Sequence, residues 1–372
     1  VPTKSSIYVY YQNNFELLKF SSNTLMNEMI NNVIALRKNA FEAIPEKNNL
    51  LKSFEYVLYS QPNLEPMIDS SCCKIGNLIM AASRQLYMTF DTNHESSLSI
   101  GKYGTNMNIH SHAKLVSVDK IPIPYIFGGE KFPLPLELSL GKQFVDVKQK
   151  LERKNSADDL VNVIPLNEMK EGRMYHTCCS YKKYIVIYGG YRNIKNSKKF
   201  FPDVYFYNVE TCEIFVTVPC QNKEPESRYN HSAVVYKNLM IIHGGRNSRN
   251  GILNDTWCYN FNDGKWTLLD LSRPHNESTI VPRFGHSAVC VNHFMFIIGG
   301  VTSRSEASNV IKNELMNNNN NDSESSKEEE ESDVDKITNW STSSLIFNSN
   351  YIPAPNCFCL NIERGDFINV NL

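Results

Sequence analysis

The sequence lacks three features that would assign a chain to a broad class at once. Its apolar runs are far shorter than the roughly eighteen residues that a membrane-spanning helix needs. Lys and Arg number 38 and Asp and Glu 39, so a net charge of −1 gives no overall field to attract nucleic acid or a membrane surface. The ten cysteines show no disulfide-framework spacing, which favours reduced thiols in the cytoplasm or, as an alternative, the nucleus.

Motifs of the common catalytic classes are missing as well. The chain has no Gly-x-Ser-x-Gly elbow, no Walker loop and no His-Glu-x-x-His. His110-x-His112 has the spacing of two ligands on one strand face, but no further ligand stands at metal-site spacing. Cys357-x-Cys359 is more typical of a buried strand. We therefore expect no enzyme, no metal and no cofactor.

A repeat of 55 residues organises the middle of the chain. Each of three Gly-Gly doublets follows a histidine by thirteen positions, and an arginine stands three positions before that histidine. The sets are Arg173, His176, Gly189 and Gly190; Arg228, His231, Gly244 and Gly245; and Arg283, His286, Gly299 and Gly300. Because these residues recur in lockstep, we interpret them as structural positions and not as converging metal ligands.

Short β-rich runs fill each repeat. In the clearest unit, two runs precede the doublet and two follow it around an Asn-Asp-Gly turn, which predicts four antiparallel strands. The unit resembles a kelch repeat, with paired glycines after the second strand, Trp257 on the third and Trp266 on the fourth. The resemblance implies an all-β fold, a kelch-type β-propeller.

Two looser units and one partial unit extend the count. His112 with Gly128 and Gly129 marks one unit, although the spacing grows to sixteen. Ala81-Ala82 stands in the doublet's place of a degenerate unit further upstream. We expect five recognisable blades plus half a blade, cut from a parent of six or seven blades that extends before Val1. The expected organisation is a partial blade at 1–20, an inserted helical segment at 21–66, blades at 67–300, an acidic insertion at 301–340 and the last strands at 341–372.

The two insertions have different compositions. Apolar residues at helical spacing predict an amphipathic helix over 24–43, whereas 50–59 fits a helix or a strand equally well. The second insertion holds five asparagines at 317–321 and then a tract at 322–335 with eight acids and one lysine, which predicts disorder. The asparagine run and the acidic tract resemble the insertions found in fungal regulators.

Basic residues cluster in the segments that follow two of the doublets. Arg192, Lys195, Lys198 and Lys199 follow the first doublet, and Arg246 and Arg249 follow the second, with no acid in either segment. One interpretation is that these segments are solvated loops without a further role. The alternative is a surface that binds acidic or phosphorylated proteins, for which the acidic insertion competes.

The resemblance implies a non-catalytic interaction scaffold or regulatory adaptor that binds proteins, with neither nucleic acid nor a membrane span. More specific versions are a Gβ-like kelch regulator of fungal nutrient and cyclic-AMP signalling and a substrate adaptor of a ubiquitin ligase. An enzyme with an axial pocket is the least favoured reading.

Overall fold

The structure is a computed structural model, and strands make up most of what it describes. The described residues are 6–11, 16–21, 56–60, 71–83, 86–93, 98–102, 112–119, 121, 124–129, 136–138, 144–146, 163–166, 172–195, 197–218, 223–271, 280–307, 351–354 and 357–370. The chain divides into two compact units, Val1–Pro219 and Cys220–Leu372. Within the described residues, helix is limited to a single turn at 304–307.

The first unit opens with a three-stranded antiparallel sheet. Its strands, in spatial order, are β1 (Ser6–Tyr11), β2 (Glu16–Ser21) and β3 (Tyr56–Ser60). The two strands expected near the N-terminus are present, and β3 pairs with the second of them. The prediction of a helical insertion over 21–66 is wrong at Tyr56–Ser60, because β3 forms there and pairs with β2. The helix predicted at 24–43 lies outside the described residues.

Two four-stranded antiparallel blades follow, each with its strands in sequence order. Blade 1 consists of β4 (Ser71–Ile75), β5 (Leu78–Ala82), β6 (Leu86–Asp91) and β7 (Leu98–Lys102). Blade 2 consists of β8 (Ala113–Ser117), β9 (Pro124–Gly128), β10 (Leu136–Leu138) and β11 (Phe144–Asp146). The unit with Ala81-Ala82 in the doublet's place is thus a complete blade.

Blade 3 closes the first unit and carries an additional hairpin. Its strands are β12 (Val163–Leu166), β13 (Thr177–Tyr181), β14 (Tyr184–Tyr188), β17 (Val204–Asn208) and β18 (Ile214–Thr217), in the spatial order β12-β18-β17-β14-β13. Between the doublet and β17, β15 (Tyr191–Ile194) pairs with β16 (Ser197–Phe200) as a separate two-stranded sheet. The segment expected to be a polar loop is therefore a β-hairpin.

The second unit contains two blades. Blade 4 consists of β19 (Arg228–Tyr229), β20 (Ser232–Tyr236), β21 (Leu239–Asn247), β22 (Ile252–Asn260) and β23 (Lys265–Leu268). Blade 5 consists of β24 (Ser287–Val291), β25 (Phe294–Ile298), β28 (Cys357–Asn361) and β29 (Asp366–Val370), with the pair β26 (Val301–Ser303) and β27 (Tyr351–Pro353) beside it. The acidic tract predicted to be disordered lies outside the described residues.

Apolar faces of successive blades pack against each other. In the first unit, Met80 and Tyr87 of blade 1 share a cluster with Leu115 and Ile126 of blade 2. In the second unit, blades 4 and 5 share one cluster in the same way. The interior strand β14 of blade 3 is buried along its whole length, which explains its unbroken apolar and aromatic sequence. Such face-to-face packing of four-stranded antiparallel sheets is the arrangement of propeller blades.

Candidate functional site

The three repeated arginines are buried, and each forms a hydrogen bond within its own blade. Arg173, Arg228 and Arg283 are at most 1% exposed. Each donates from Nη1 to the carbonyl of the first glycine in its doublet, sixteen residues later, at 3.5, 3.2 and 3.1 Å respectively. The glycine carbonyl at the end of the second strand thereby gains a partner. The arginines hold the chain where it leaves the blade.

The charge of the buried arginine is compensated differently from blade to blade. Arg228 forms a bidentate pair with Asp255, with N–O distances of 2.7 and 2.9 Å, and Trp257 Nε1 donates to the same carboxylate at 2.6 Å. Burial favours a higher pKa for Asp255, but the hydrogen bonds and charge of Arg228 outweigh it and lower that pKa. This ion pair fixes β22 to the start of blade 4.

Arg173 lacks such an ion pair among the described residues. Its guanidinium stacks on the rings of Phe201 and Tyr205, 4.1 and 4.3 Å from their centroids, and burial lowers its pKa to about 10. The strand register makes Asp203, just before β17, the equivalent of Asp255 in β22. Burial nevertheless raises the pKa of Asp203, and the charge of Arg173 opposes this rise only in part. In blade 5, Arg283 stacks over Phe358 at 5.1 Å, and burial lowers its pKa to about 10 as well.

Two of the three repeated histidines, His176 and His286, pack against a glycine of the neighbouring blade in the same unit. A Cβ on Gly128 of blade 2 would lie 2.2 Å from the His176 ring of blade 3, and one on Gly244 would lie 3.1 Å from the His286 ring. The second glycine of each of these doublets, Gly129 and Gly245, donates its N–H to an arginine carbonyl of the next blade at 2.8 Å. Only glycine allows this approach, since the doublets also have positive φ.

The histidine of a blade also packs against the second glycine of its own doublet. A Cβ on Gly190, Gly245 or Gly300 would lie 2.7 to 2.9 Å from the Cβ of His176, His231 or His286 respectively. His286 Nε2 lies 2.8 Å from Ser232 Oγ, and burial lowers the pKa of His286 to about 3, so the ring is neutral. These contacts give the histidines a structural role.

His112 does not occupy the histidine position of blade 2. The strand register pairs Ala113 with Gly128, so Ala113 stands where His176 stands in blade 3. His112 has φ of 66°, like Tyr175 at 58°, the residue before His176. Its ring stacks on Tyr175 with centroids 3.8 Å apart. The assignment of His112 to the repeated motif was therefore wrong by one position, because the loop before β9 is longer.

The two tryptophans of blade 4 lie where the kelch resemblance predicts them. Trp257 is on β22 and Trp266 on β23, and both side chains are buried. Trp266 meets Tyr259 edge to face at 5.1 Å. In blade 3, Ile214 on β18, and not the neighbouring Phe215, takes the place of the second tryptophan, because Ile214 pairs with Tyr207 as Trp266 pairs with Tyr259.

Four of the six predicted binding cations lie together on the hairpin of blade 3, which we call the basic hairpin (residues 191–200). Arg192 is half-buried and faces Lys199 directly across the strands. Lys195 is at the turn with φ of 53°, and Lys198 and Lys199 are exposed. No acidic residue occurs in this segment. The basic hairpin is thus a compact positive surface.

Aromatic rings hold the basic hairpin against the first unit. Tyr191 exchanges two backbone hydrogen bonds with Met174, at 2.9 and 3.0 Å. Its ring stacks on Tyr175 at 5.5 Å, and Lys198 Nζ lies 4.4 Å from its centroid. Cation–π contacts of this kind stabilise exposed sites by about 0.5–1 kcal/mol. The hairpin therefore has a defined attachment to the blade.

The remaining two cations lie in the second unit and differ from each other. Arg246 hydrogen-bonds the Asn250 carbonyl from Nε and Nη2 at 3.2 and 3.0 Å, and Nη2 also reaches the Tyr351 hydroxyl at 3.0 Å. Its guanidinium stacks on Phe284 and Tyr351. Arg249 is exposed. Arg246 is thus a structural residue that ties β21 to β27, which the sequence did not reveal.

Clusters of metal ligands, membrane-spanning helices and disulfides are absent from the part of the chain that the structure describes. No group of three or more His, Cys, Asp or Glu side chains is placed to hold a metal ion. No helix there is long and apolar enough to cross a membrane. The nine described cysteines form no disulfide, and burial raises the pKa of Cys258 and Cys290 to about 11. Burial thus disfavours the reactive thiolate form of these two cysteines.

The blades, the glycine doublets and the contacts between repeated arginines, histidines and glycines define a kelch-type β-propeller. The family model of the KLHDC2/KLHL20/DRC7 Kelch-repeats domain matches residues 111–327, more than half of the chain. The chain belongs to this kelch-repeat family.

Several curated proteins are similar over part of the chain. The human tRNA wybutosine-synthesizing protein 4 is 27% identical over 131 residues, which are 35% of this chain and 18% of that protein. The rat Kelch domain-containing protein 3 is 35% identical over 77 residues, 20% of this chain and 19% of that protein. An F-box/kelch-repeat protein of Arabidopsis thaliana is 24% identical over 136 residues, 35% of this chain and 27% of that protein. The chain therefore spans less than a third of the length of these relatives.

Proposed function

We propose that the chain is a non-catalytic protein-interaction scaffold and that it binds acidic or phosphorylated proteins through the basic hairpin. The carrying observation is the concentration of Arg192, Lys195, Lys198 and Lys199 on one attached hairpin without an acid. The repeated arginines and histidines support the non-catalytic reading, since the arginine side chains are buried within their own blades and the histidines are buried against glycines of the doublets. We place the protein in the cytoplasm, with the nucleus as the alternative.

Charge and aromatic packing together favour a protein partner over single-stranded nucleic acid. Nucleic-acid platforms need aromatic faces on which bases can stack. In the basic hairpin, Tyr191 stacks on Tyr175 and carries Lys198 over its ring, and Tyr175 also stacks on His112. These ring faces are already in use. An acidic peptide needs only the exposed cations, and its attraction would weaken with salt.

An adaptor role is the more specific version of the proposal. The similarity to an F-box/kelch-repeat protein supports it, because a kelch segment stands there beside an F-box. The similarity to a tRNA wybutosine-synthesizing protein covers 18% of that protein and gives no residue of this chain a catalytic role. We propose that the propeller supplies recognition in either context.

The test is affinity purification from native extract followed by mass spectrometry. The test variant changes Arg192, Lys195, Lys198 and Lys199 to Ser. A matched control removes four other exposed cations, namely Lys182, Lys223, Lys265 and Arg304. We expect a protein that co-purifies with the native chain and the control to be lost from the test variant. Identical partners in all three samples would refute the basic hairpin as the binding surface.

A further inference from the structure

One large apolar side chain is exposed at the end of the basic hairpin. Ile194 pairs with Ser197 where β15 turns into β16, and Ile194 is 40% exposed. The Ser197 hydroxyl donates to the Ile194 carbonyl at 3.1 Å, and Lys195 in the turn has a left-handed φ of 53°. The hairpin therefore ends in a tight turn that presents an isoleucine within a basic segment.

The next two blades show that the fold does not require an apolar residue at this place. The repeat of 55 residues makes Arg249 and Arg304 the equivalents of Ile194, and both arginines are exposed. A single exposed apolar side chain is ordinary on the surface of a protein. Ile194 differs because it stands at the tip of a separate hairpin, at a position where the other two blades carry an exposed cation.

Ile194 lies on the face of the hairpin opposite its ring contacts. Successive side chains of a strand point to opposite faces, so Tyr191 and Asn193 share one face and Ile194 belongs to the other. The ring of Tyr191 stacks on Tyr175 and carries Lys198 on the first face. One face thus positions the hairpin, while the tip of the other face presents the isoleucine.

Tyr175, which contacts the base of the hairpin, has a strained backbone. Its φ of 58° is left-handed, a conformation that bulky side chains rarely adopt. The equivalent residues of blades 4 and 5 are Asn230 and Gly285, which have φ of 54° and 66° and tolerate this conformation. In blade 3 the ring stacks on Tyr191 and on His112, with centroids 5.5 and 3.8 Å apart. Strained residues cluster at functional sites, and this one holds the first residue of the basic hairpin.

We propose that Ile194 is the apolar anchor of the basic hairpin and that it inserts into an apolar pocket with an acidic rim on a folded protein partner. This proposal rests on the proposed function and specifies the surface of the partner. Protein interfaces have an apolar centre and a polar rim, and a few central anchors carry most of the binding energy. The basic segment complements the acidic rim and accelerates the encounter. Because the stack on Tyr175 already holds the hairpin, little conformational freedom is lost on binding.

Ile194→Arg distinguishes an apolar anchor from charge alone, because the two predict opposite signs. The added cation strengthens a purely electrostatic attraction to an acidic partner, whereas the same change removes the anchor. The partner protein retained by the native chain, by Ile194→Arg and by Leu78→Arg is quantified by affinity purification with isotope-labelled mass spectrometry. Leu78 is the matched control, since it is 43% exposed on β5 of the same unit. We expect Ile194→Arg to reduce the retained partner at least about tenfold, as loss of a buried isoleucine contact predicts, and Leu78→Arg to leave it unchanged.

The alternative outcomes separate this proposal from the proposed function. The melting temperature of Ile194→Arg should equal that of the native chain, since Arg249 and Arg304 stand at the equivalent positions. Equal or greater retention by Ile194→Arg would overturn the anchor. If the variant without the four hairpin cations still loses the partner in that case, the scaffold function stands and only the anchor falls. An equal loss from Leu78→Arg would show unspecific apolar capture and would overturn the anchor as well.

Two substitutions of Tyr175 test whether the hairpin is held in place for binding. Tyr175→Asn keeps a residue that tolerates the left-handed backbone, as Asn230 does in blade 4, but it removes the ring. Tyr175→His also tolerates that backbone and keeps a ring, as His112 does in blade 2. We expect Tyr175→Asn to reduce the retained partner and Tyr175→His to retain it. Equal retention by both variants would show that the stack does not prepare the hairpin for its partner, and the preorganised anchor would fall.

Discussion

The ion pair between Arg228 and Asp255 gives the most informative stability prediction, because the chain contains its own control. Arg228 is fully buried, whereas the Asp255 side chain is 30% exposed. Breaking a buried pair by removing one partner costs about 3–5 kcal/mol. Asparagine keeps one acceptor oxygen and water reaches the site, so we expect Asp255→Asn to lower the free energy of unfolding by about 2–3 kcal/mol. For a unit of this size the melting temperature should fall by roughly 5–10 °C.

Asp203→Asn is the matched control in blade 3. Asp203 stands at the equivalent position, but no ion pair joins it to Arg173 among the described residues, and its pKa is raised. An acid whose pKa is raised by folding destabilises the native state when it is ionised. We therefore expect Asp203→Asn to be neutral or slightly stabilising at pH 7. Calorimetry of both variants measures the difference, and equal losses of stability would refute the role assigned to the Arg228–Asp255 pair.

The pH dependence of the same pair has a defined sign. The pKa of Asp255 is lower in the folded state than the unfolded value of about 3.9. Its ionised form contributes stability above that unfolded value, and the contribution is lost as the pH falls through the folded pKa. The difference between Asp255→Asn and the native chain should therefore shrink below about pH 4. A difference that is constant down to pH 2 would contradict this linkage.

Two further predictions concern a glycine and an arginine of the second unit. Gly244→Ala should lower the free energy of unfolding by more than about 3 kcal/mol, since its Cβ would lie 2.7 Å from the Arg283 carbonyl. A Cβ on Gly299 would meet nothing within 4 Å. Gly299→Ala should therefore cost only about 1–2 kcal/mol, because of the positive φ at that position. Urea denaturation compares the two, and similar losses would contradict the close approach. Arg246→Ser should lower the melting temperature because contacts to Asn250 and Tyr351 are lost, whereas Arg249→Ser should not change it. Thermal melts decide between them, and an unaffected Arg246→Ser would mean that its contacts do not stabilise the unit.

The blades were predictable because their signals are local and repeated. Glycine doublets, the spacing from the histidines and the alternation of short apolar runs predict strands without any knowledge of distant partners. The position of His112 was wrong because spacing alone cannot show a register, and a longer loop shifts the motif by one residue. The segment 50–59 stayed ambiguous because β3 forms by pairing with β2, which is distant in sequence.

The candidate site was predictable in composition but not in geometry. The cluster of basic residues is visible in the sequence, yet the pairing of Arg192 with Lys199 depends on where the hairpin turns. The structural role of Arg246 depends on Tyr351, 105 residues away beyond the acidic insertion. Long-range contacts of this kind leave no periodic trace, so a solvated cation and a packed one have the same appearance in a sequence.

The contacts of Gly128 with His176 and of Gly244 with His286 have a consequence for how such a chain can change in length. Each of these contacts joins the doublet of one repeat to the histidine of the next repeat. A segment that begins after one histidine and ends with the following histidine therefore contains both members of such a contact. A duplication or deletion with those boundaries retains every glycine–histidine contact between neighbouring blades. A duplication or deletion whose boundaries lie between a doublet and the next arginine separates these two residues. It places the doublet beside the histidine of a different contact. Repeat number should therefore vary more readily across the first kind of boundary than across the second.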